Sequence, residues 1–195
     1  MATLGYAILG LLSREELSGY DLAGRMRARV GQFWEARHSQ IYPELARLEE
    51  GGLVMHRVVE QQDRPDKKVY EITEEGLDAL KQWVAEPPTP RPARDELVLK
   101  AYSLWLAEPE KAISLFTDQE RRHEEQLLAY EKVRAWMEKE WGKDILRTDS
   151  PRFASYAALR CGILYERGYA EWCRWVASRL KGKGRRSSSI GEEEI

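Results

Sequence analysis

The stretch HSQIYPELARLEEGGLVMHRVVEQQDRPDKKVYEITEEG, residues 38–76, decides the fold. Its first third predicts a short helix, because apolar residues recur at three- and four-residue intervals before the glycine pair at residues 51–52. A valine-rich segment over residues 53–60 and an alternating segment over residues 68–73 predict two strands, with a charged turn between them. Thr73 and the two glutamates after it predict the start of a new helix.

The short helix has a buried and an outward face. Its apolar stripe is Ile41, Leu45 and Leu48, which points to a small core. Ser39 is expected to cap the helix, and Pro43 is expected in its first turn, where the missing N–H costs least. The side chains expected on the outward face are Gln40, Tyr42, Glu44 and Arg47.

Two further helices are predicted before this stretch and one is predicted after it. The upstream helices cover residues 2–12 and start again at Ser18, and the downstream helix has Leu77, Leu80 and Val84 as its core stripe. Three helices, a two-stranded ribbon and a closing helix form a winged helix-turn-helix, a shape that places its third helix in the DNA major groove.

The residue pattern of the rest of the chain predicts helices and no strands. A connector with four of the eight prolines precedes them, and a helix of about 33 residues starts at Glu108-Pro109. The fold class is therefore mainly α with a small β wing, an N-terminal winged helix-turn-helix plus a C-terminal antiparallel helical dimerisation domain. The predicted segments are a DNA-binding domain (1–86), a Pro-rich connector (87–95), a helical dimerisation domain (96–180) and a disordered tail (181–195).

The long helix carries a three-four alternation of mostly apolar residues from Ile113 to Trp141. We expect this seam to pack against a second copy of the chain, together with the last helix, which is apolar on two sides. The residues expected in the dimer interface are Phe116, Leu127, Tyr130, Leu164, Gly168, Trp172 and Trp175.

Four motifs carry a resemblance to a known family. LGYAILGLL, SGYDLAGRM, SQIYPELARLEEGGL and VYEITEEG, within residues 4–86, resemble the PadR family of bacterial transcriptional regulators. The region that begins DELVLKAY resembles, through composition and length, the virulence-activator-like helical domain of longer PadR-like proteins. The resemblance implies a homodimer, an operator with two half-sites, and usually repression relieved by a small ligand.

The third helix and the wing supply the expected contacts with double-stranded DNA. Gln40 and Tyr42 are expected at base edges or phosphates, and Arg47 at guanine or the backbone. For the arginines and lysines of the set, a solvated surface role is a nearly equal alternative. The full predicted set is His38, Ser39, Gln40, Tyr42, Arg47, Arg27, Arg29, Arg64, Lys67 and Lys68.

The charge balance is more acidic than is usual for a DNA-binding protein. Residues 1–86 contain eleven Lys/Arg and fifteen Asp/Glu, and the whole chain has a net charge of −2. This motivates an alternative of another class, a winged-helix module that binds protein and does not bind DNA. A basic face around Gln40 and Lys67 favours DNA, and an acidic or apolar face favours protein.

The helical half contains five of the seven tryptophans. An aromatic pocket for a small aromatic effector is one interpretation, and a Trp-rich dimer core is the one we favour. No catalytic motif is present, and no cofactor or metal is expected, so an enzyme is disfavoured. Two cysteines suit neither a zinc site nor a disulfide framework. No apolar run approaches the about 20 residues that span a bilayer, so we expect a cytoplasmic protein.

Overall fold

A computed structural model gives the fold of residues 1–27, 38–60, 66–88 and 94–187. The predicted DNA contacts Arg29 and Arg64 lie outside the described residues, as does the side chain of His38. The chain divides into two compact units, Met1–Pro90 and Arg91–Ile195. The division falls inside the predicted connector.

The described residues of the N-terminal unit form four α-helices and a small antiparallel sheet. Its elements in chain order are α1 (Thr3–Leu12), β1 (Leu17–Ser18), α2 (Gly19–Arg25), α3 (His38–Glu50), β2 (Val54–Val59), β3 (Lys67–Ile72) and α4 (Glu74–Ala85). Strands β2 and β3 form the predicted wing, and α3 is the third helix of a winged helix-turn-helix. The predicted fold class is therefore confirmed for this unit.

Strand β1 was not predicted from the sequence. Its two residues pair antiparallel with the middle of β3, Leu17 with Tyr70 and Ser18 with Val69, so the sheet has three strands in the order β1-β3-β2. A strand of two residues is too short to show an alternating pattern. Strand β1 links the wing to α2, because its second residue, Ser18, is also the N-cap of α2. The Ser18 side chain accepts a hydrogen bond from the Asp21 amide.

The end of α3 is a Schellman motif, in which the predicted glycine stop has a defined geometry. Gly52 has φ 69°, a left-handed conformation that suits glycine. The amides of Gly52 and Leu53 then bond the carbonyls of Glu49 and Leu48 at 3.0 and 2.9 Å. This turn aims the chain directly into β2.

Helix α4 rests on the core by a different face than predicted. Leu77 and Val84 are exposed, whereas Gly76 is buried and Leu80 packs on the core. Trp83 stacks on Tyr6 of α1 with ring centroids 4.5 Å apart. The predicted stripe was therefore right for Leu80 and wrong for Leu77 and Val84, because glycine at the point of closest approach and a tryptophan stack set the rotation of the helix.

The C-terminal unit is a helical hairpin with a short helix packed on it. Its helices are α5 (Glu96–Tyr102), α6 (Pro109–Trp141) and α7 (Pro151–Ser187), with 3₁₀ turns at Leu104–Leu106 and Gly142–Leu146. Asp95 caps α5 by accepting from the Leu97 and Val98 amides. Helix α6 has the predicted bounds. Helix α7 continues to Ser187, past its predicted end near Leu180, and the remaining eight residues lie outside the description.

The seam of α6 is covered by α7 of the same chain. Phe116 is completely buried and packs edge-on against Trp172, and Tyr130 is buried beside Leu159 and Ile163. Phe116 and Tyr130 were therefore wrongly predicted as dimer contacts, because the hairpin already encloses them. Leu127 is half-buried in the same cluster, so most of its surface is also used within the chain.

A ladder of polar pairs joins α6 to α7. Arg174 of α7 bonds Glu120 at 2.7 Å and also pairs with Glu124, and Arg167 bonds Glu131 at 2.9 Å. His123 and Glu166 form a further pair at 2.5 Å with little solvent contact. Since Arg174 pairs with Glu120 and Glu124 whereas the earlier Arg167 pairs with the later Glu131, these arginine pairs reflect an antiparallel hairpin.

Candidate nucleic-acid interface

The proposed recognition helix α3 is sharply two-sided. Ile41, Leu45 and Leu48 are fully buried in the core of the N-terminal unit, whereas Ser39 and Gln40 are exposed. The burial of three large apolar side chains fixes the rotation of α3, at about 1.5–3 kcal/mol for each of them. Its solvent face is therefore a defined surface and not a mobile one.

The start of α3 differs from the prediction. The helix already includes His38, so Ser39 lies inside it and is not its cap. Pro43 consequently falls beyond the first turn, and the Ser39 carbonyl lacks the amide donor that any other residue there would supply. Ser39 is still exposed on the first turn, where a helix attracts phosphate.

The Tyr42 ring packs against the start of the neighbouring helix α2. A Cβ added at Gly19, the first residue of α2, would lie 2.5 Å from the Tyr42 ring, so only glycine permits this contact. About half of the Tyr42 side chain remains exposed. The ring is therefore held on one side and open to solvent on the other, a suitable state for an aromatic side chain that contacts DNA.

Glu44 was expected on the outward face, and this expectation was wrong. Its relative exposure is 5%, and its Oε2 accepts a hydrogen bond from Arg47 Nη1 at 3.2 Å. The Arg47 side chain itself is 74% exposed. Of the four side chains expected on the outward face, Gln40, Tyr42 and Arg47 are exposed, and the exposed carboxylate of α3 is that of its last residue, Glu50.

The base of the wing is braced against α2 through a lysine. Lys67 Nζ donates to the Asp21 carboxylate at 2.8 Å, and the Ser18 hydroxyl donates to the same oxygen. The Lys67 ammonium and this hydroxyl hold the pKa of Asp21 below its usual value. Lys67 was predicted to contact DNA and has this structural partner as well, while Lys68 is exposed next to it.

Many acids of the N-terminal unit are neutralised within it. Glu15 pairs with Arg25 at 3.1 Å and Glu16 pairs with Arg57 at 2.6 Å. Glu49, near the end of α3, contacts the ring of His56 on β2. Arg27 is exposed beyond α2. Each Arg–Glu pair removes one positive charge along with one negative charge, so the acidic balance of the unit is unchanged and continues to motivate the alternative of a protein-binding module.

A second surface lies on α7. Leu164 is 59% exposed, and Cys161, Gly168 and Trp175 are exposed with it at spacings of three, four and seven residues. These positions form one stripe on the side that α6 leaves uncovered. Trp172 faces Phe116 instead, so its main contact lies within the hairpin.

The helical unit also contains an aromatic cleft of about 640 Å³. The volume falls within the range of small-molecule sites. Burial raises the pKa of the Tyr165 phenol, with a further contribution from the Asp95 carboxylate. The lining residues are Arg94, Asp95, Val98, Leu99, Tyr102, Tyr165 and Tyr169.

The described part of the chain contains neither a metal-binding cluster nor a membrane-spanning helix. Across residues 1–27, 38–60, 66–88 and 94–187, the acids, histidines and cysteines form no group of three or more that could hold a metal ion. In the same ranges, no helix is both long and apolar enough to cross a membrane.

The roles of Gly19, Asp21 and Glu44 were not predicted from the sequence. A signal existed for Asp21, because a serine three residues before an aspartate is the pattern of a helix start with a reciprocal cap. A signal also existed for Glu44, which is three residues after Ile41 and four before Leu48 and so falls inside the buried stripe. Gly19 gave no signal, since its role depends on a ring 23 positions away.

Comparisons with known proteins agree with this architecture. Residues 8–82 match the Transcriptional regulator PadR-like family, and residues 93–181 match Virulence activator alpha C-term. The Negative transcriptional regulator PadR of Bacillus subtilis is 37% identical over 185 residues, which cover 92% of this chain and 98% of that protein.

Two solved structures of Bacillus subtilis PadR extend the likeness. The complex with operator DNA has a TM-score of 0.82 at 34% identity, covering 92% of this chain and 98% of that one. The complex with p-coumaric acid has a TM-score of 0.68 at 34% identity, covering 92% of this chain and 99% of that one.

Proposed function

Because this chain belongs to the PadR-like family of transcriptional regulators, we propose that it is a homodimeric, sequence-specific repressor that binds an operator through α3 and the wing. The outward face of α3 carries the proposal, since Gln40, Tyr42 and Arg47 stand above a completely buried stripe. The PadR relative of Bacillus subtilis that has been solved with operator DNA supports it.

The exposed residues divide into base-reading and phosphate-binding groups. Gln40 pairs with adenine through its amide, Arg47 pairs with guanine, and Tyr42 contacts a thymine methyl group or a phosphate. The remaining predicted contacts hold the backbone. They are His38 and Ser39 at the start of α3, Arg27 after α2, Lys67 and Lys68 on the wing, and Arg29 and Arg64, which lie outside the described residues.

The α7 stripe supplies the dimer contact in this proposal. Leu164, Gly168 and Trp175 are exposed on the uncovered side of the hairpin, and the same stripe on a second copy buries them in a two-fold interface. A two-fold dimer presents two copies of α3 to two half-sites of the operator. The name of the Bacillus subtilis relative, a negative regulator, supports repression as the sign of control.

The proposal includes a small aromatic effector. Its support is the tyrosine-lined cleft of the helical unit, with the Arg94 guanidinium at its margin, and the p-coumaric acid complex of the Bacillus subtilis relative. Tyrosine faces stack on an aromatic ring, and a guanidinium pairs with a carboxylate. Binding there lowers operator affinity by favouring a dimer whose two α3 helices stand at another spacing.

An aromatic acid titration tests the effector. Adding p-coumaric acid to the protein–operator complex is expected to weaken binding by about tenfold, within the usual range of allosteric coupling. Arg94→Gln should lose this response while binding the operator normally. Arg122→Gln, the same change on an exposed part of α6 outside the cleft, should retain it. If the Arg94 variant responds fully, the cleft is not the effector site.

Fluorescence anisotropy on the upstream DNA of its own gene, in a salt series with competitor DNA, tests the main proposal. Gln40→Ala should weaken operator binding by about tenfold or more, because each lost base contact costs about 1–3 kcal/mol. Tyr42→Ala should also weaken it, and both variants should keep the oligomeric state of the parent. Gln82→Ala, an identical change at an exposed site on α4, should bind as the parent does.

The contrary outcomes are separable. Parental operator affinity in both the Gln40 and Tyr42 variants would remove α3 from the interface. If no genomic fragment binds the parent protein even at low salt, the interaction-module alternative takes first place. A reporter behind the upstream DNA that becomes less active on deletion of the regulator would make it an activator.

A further inference from the structure

Glu44 is a buried carboxylate at the contact between α3 and α1. Gly5, in the first turn of α1, lies directly beneath it, and a Cβ built on Gly5 would be 2.7 Å from Glu44 Oε1. The carboxylate is thus packed against the backbone of another helix. A buried charge is tolerated only when it gains compensating interactions, so this position calls for a physical explanation.

The first turn of α1 provides part of that compensation. Ala2, which precedes the helix, makes no capping hydrogen bond with its side chain, and the first turn contains no acidic residue. The N-terminus of a helix carries a partial positive charge that an adjacent carboxylate stabilises. Glu44 brings this negative charge from α3, and the contact fixes α3 against α1.

The other oxygen of the same carboxylate faces the proposed DNA surface. Oε2 accepts from Arg47 Nη1 at 3.2 Å, and most of the Arg47 side chain is in solvent. A long arginine side chain in solvent samples many rotamers, and a hydrogen bond to a buried acceptor restricts them. One side chain therefore links the placement of α3 to the direction of an exposed guanidinium.

We propose that Glu44 is a positioning residue for DNA recognition, which seats α3 on α1 and orients Arg47 toward the operator. The inference rests on the proposed DNA-binding function and deepens it, since it assigns a role in specificity to a residue that is not expected to touch DNA. Its substitution then lowers the affinity for the operator more than the affinity for unrelated sequences.

The sign of the effect separates positioning from plain electrostatics. A carboxylate on the helix that approaches DNA repels phosphate, so removing its charge should strengthen binding to every sequence if nothing else changes. Positioning predicts the opposite for the operator alone. Glu44→Gln is the suitable change, because it keeps the shape of the side chain and removes the charge.

The experiment compares Glu44→Gln with Glu50→Gln, which makes the same charge change at an exposed position on α3. The probes are the tightest duplex selected by the parent protein from a random library and a scrambled duplex of equal length. We expect Glu44→Gln to bind the selected duplex about tenfold more weakly, about 1.4 kcal/mol, with scrambled-duplex affinity equal or higher. Glu50→Gln should lose nothing on either probe.

A double-mutant cycle tests the route through Arg47. In an Arg47→Ala background, Glu44→Gln should cause a much smaller further loss than it does alone. Gly5→Ala moves the carboxylate at unchanged net charge, and it should reproduce the selective loss. Thermal unfolding of each variant establishes that the comparison is made on folded protein.

The outcomes distinguish the two levels of proposal. If the parent selects no duplex, the DNA-binding function fails and this inference fails with it. If the parent selects a duplex and Glu44→Gln binds it as tightly or more tightly, only the role of Glu44 is overturned. Unfolding of both Glu44→Gln and Gly5→Ala would also overturn it, because the carboxylate would then be a requirement of the fold.

Discussion

Gly76→Ala is expected to destabilise the N-terminal unit by about 3 kcal/mol or more and to weaken DNA binding with it. A Cβ on Gly76 would lie 2.0 Å from the carbonyl oxygen of Leu53 and 3.0 Å from Ile72 Cγ1. The obstructing atom belongs to the backbone at the point where α3 turns into β2, so no side-chain rotation relieves the clash. The whole of α4 or the wing must move.

The expected loss is a large part of the free energy of unfolding of a small unit. Overpacking in a well-packed core costs about 1–3 kcal/mol and occasionally more, and a clash with backbone lies at the upper end. A domain of this size has about 5–15 kcal/mol in total. Moving α4 also disturbs the Thr73 hydroxyl, which accepts from the Gly76 amide and donates to the Gly52 carbonyl.

Urea denaturation followed by circular dichroism measures the effect. Gly24→Ala is the matched control, because Gly24 lies in α2 with nothing within 4 Å of an added Cβ. Alanine at that exposed helical position should be neutral or stabilise by up to about 1 kcal/mol. Equal midpoints for the two variants would mean that α4 and β2 do not approach each other as described.

Leu164→Glu is expected to convert the proposed dimer to monomers and to reduce operator affinity by about a hundredfold or more. The substitution places a charge at the centre of the exposed α7 stripe, and in a two-fold interface it occurs twice. An isolated charge buried at such a contact is costly. A monomer then engages one half-site only and loses the avidity gain of about 10²–10⁴ that linked binding gives.

Sedimentation velocity and operator titration measure the two parts of this prediction. Leu146→Glu provides the control, since Leu146 is 71% exposed in the connection between α6 and α7, at the tip of the hairpin. That variant should remain dimeric. A dimeric Leu164 variant would show that the interface lies elsewhere. Trp172→Ala, by contrast, should chiefly destabilise the hairpin, because Trp172 packs on Phe116 of the same chain.

The sequence predicted which residues are buried better than it predicted what buries them. The three-four spacing of Phe116, Leu127 and Tyr130 identified an inner face of α6, and that face is buried. A stripe on one helix does not specify whether its cover is the same chain or another. Only the structure shows that α7 of the same chain folds back along α6 and covers this face.

Two smaller errors have a common physical origin. Glu44 falls inside the stripe of Ile41 and Leu48, but its charge suggested solvent exposure, because the compensating α1 terminus is invisible in the local sequence. On α4, the buried face is set by Gly76 and Trp83 and not by Leu77. In both cases contacts with residues distant in the sequence, and not the polarity of the single residue, determined whether the side chain is buried. The recognition helix, the wing strands and the bounds of α6 needed no such information, since local periodicity and turn residues define them.

The Arg–Glu part of the ladder between α6 and α7 separates charge by sign, and this separation bears on chain exchange. Its carboxylates Glu120, Glu124 and Glu131 lie on α6, and its arginines Arg167 and Arg174 lie on α7. Two α6 helices therefore repel each other at these positions, whereas α7 from another molecule would satisfy every pair as well as the chain's own α7 does. What keeps the hairpin within one molecule is its short connection, where the left-handed Gly142 reverses the chain. Shortening or straightening that connection would favour domain-swapped assemblies without disturbing any ladder contact.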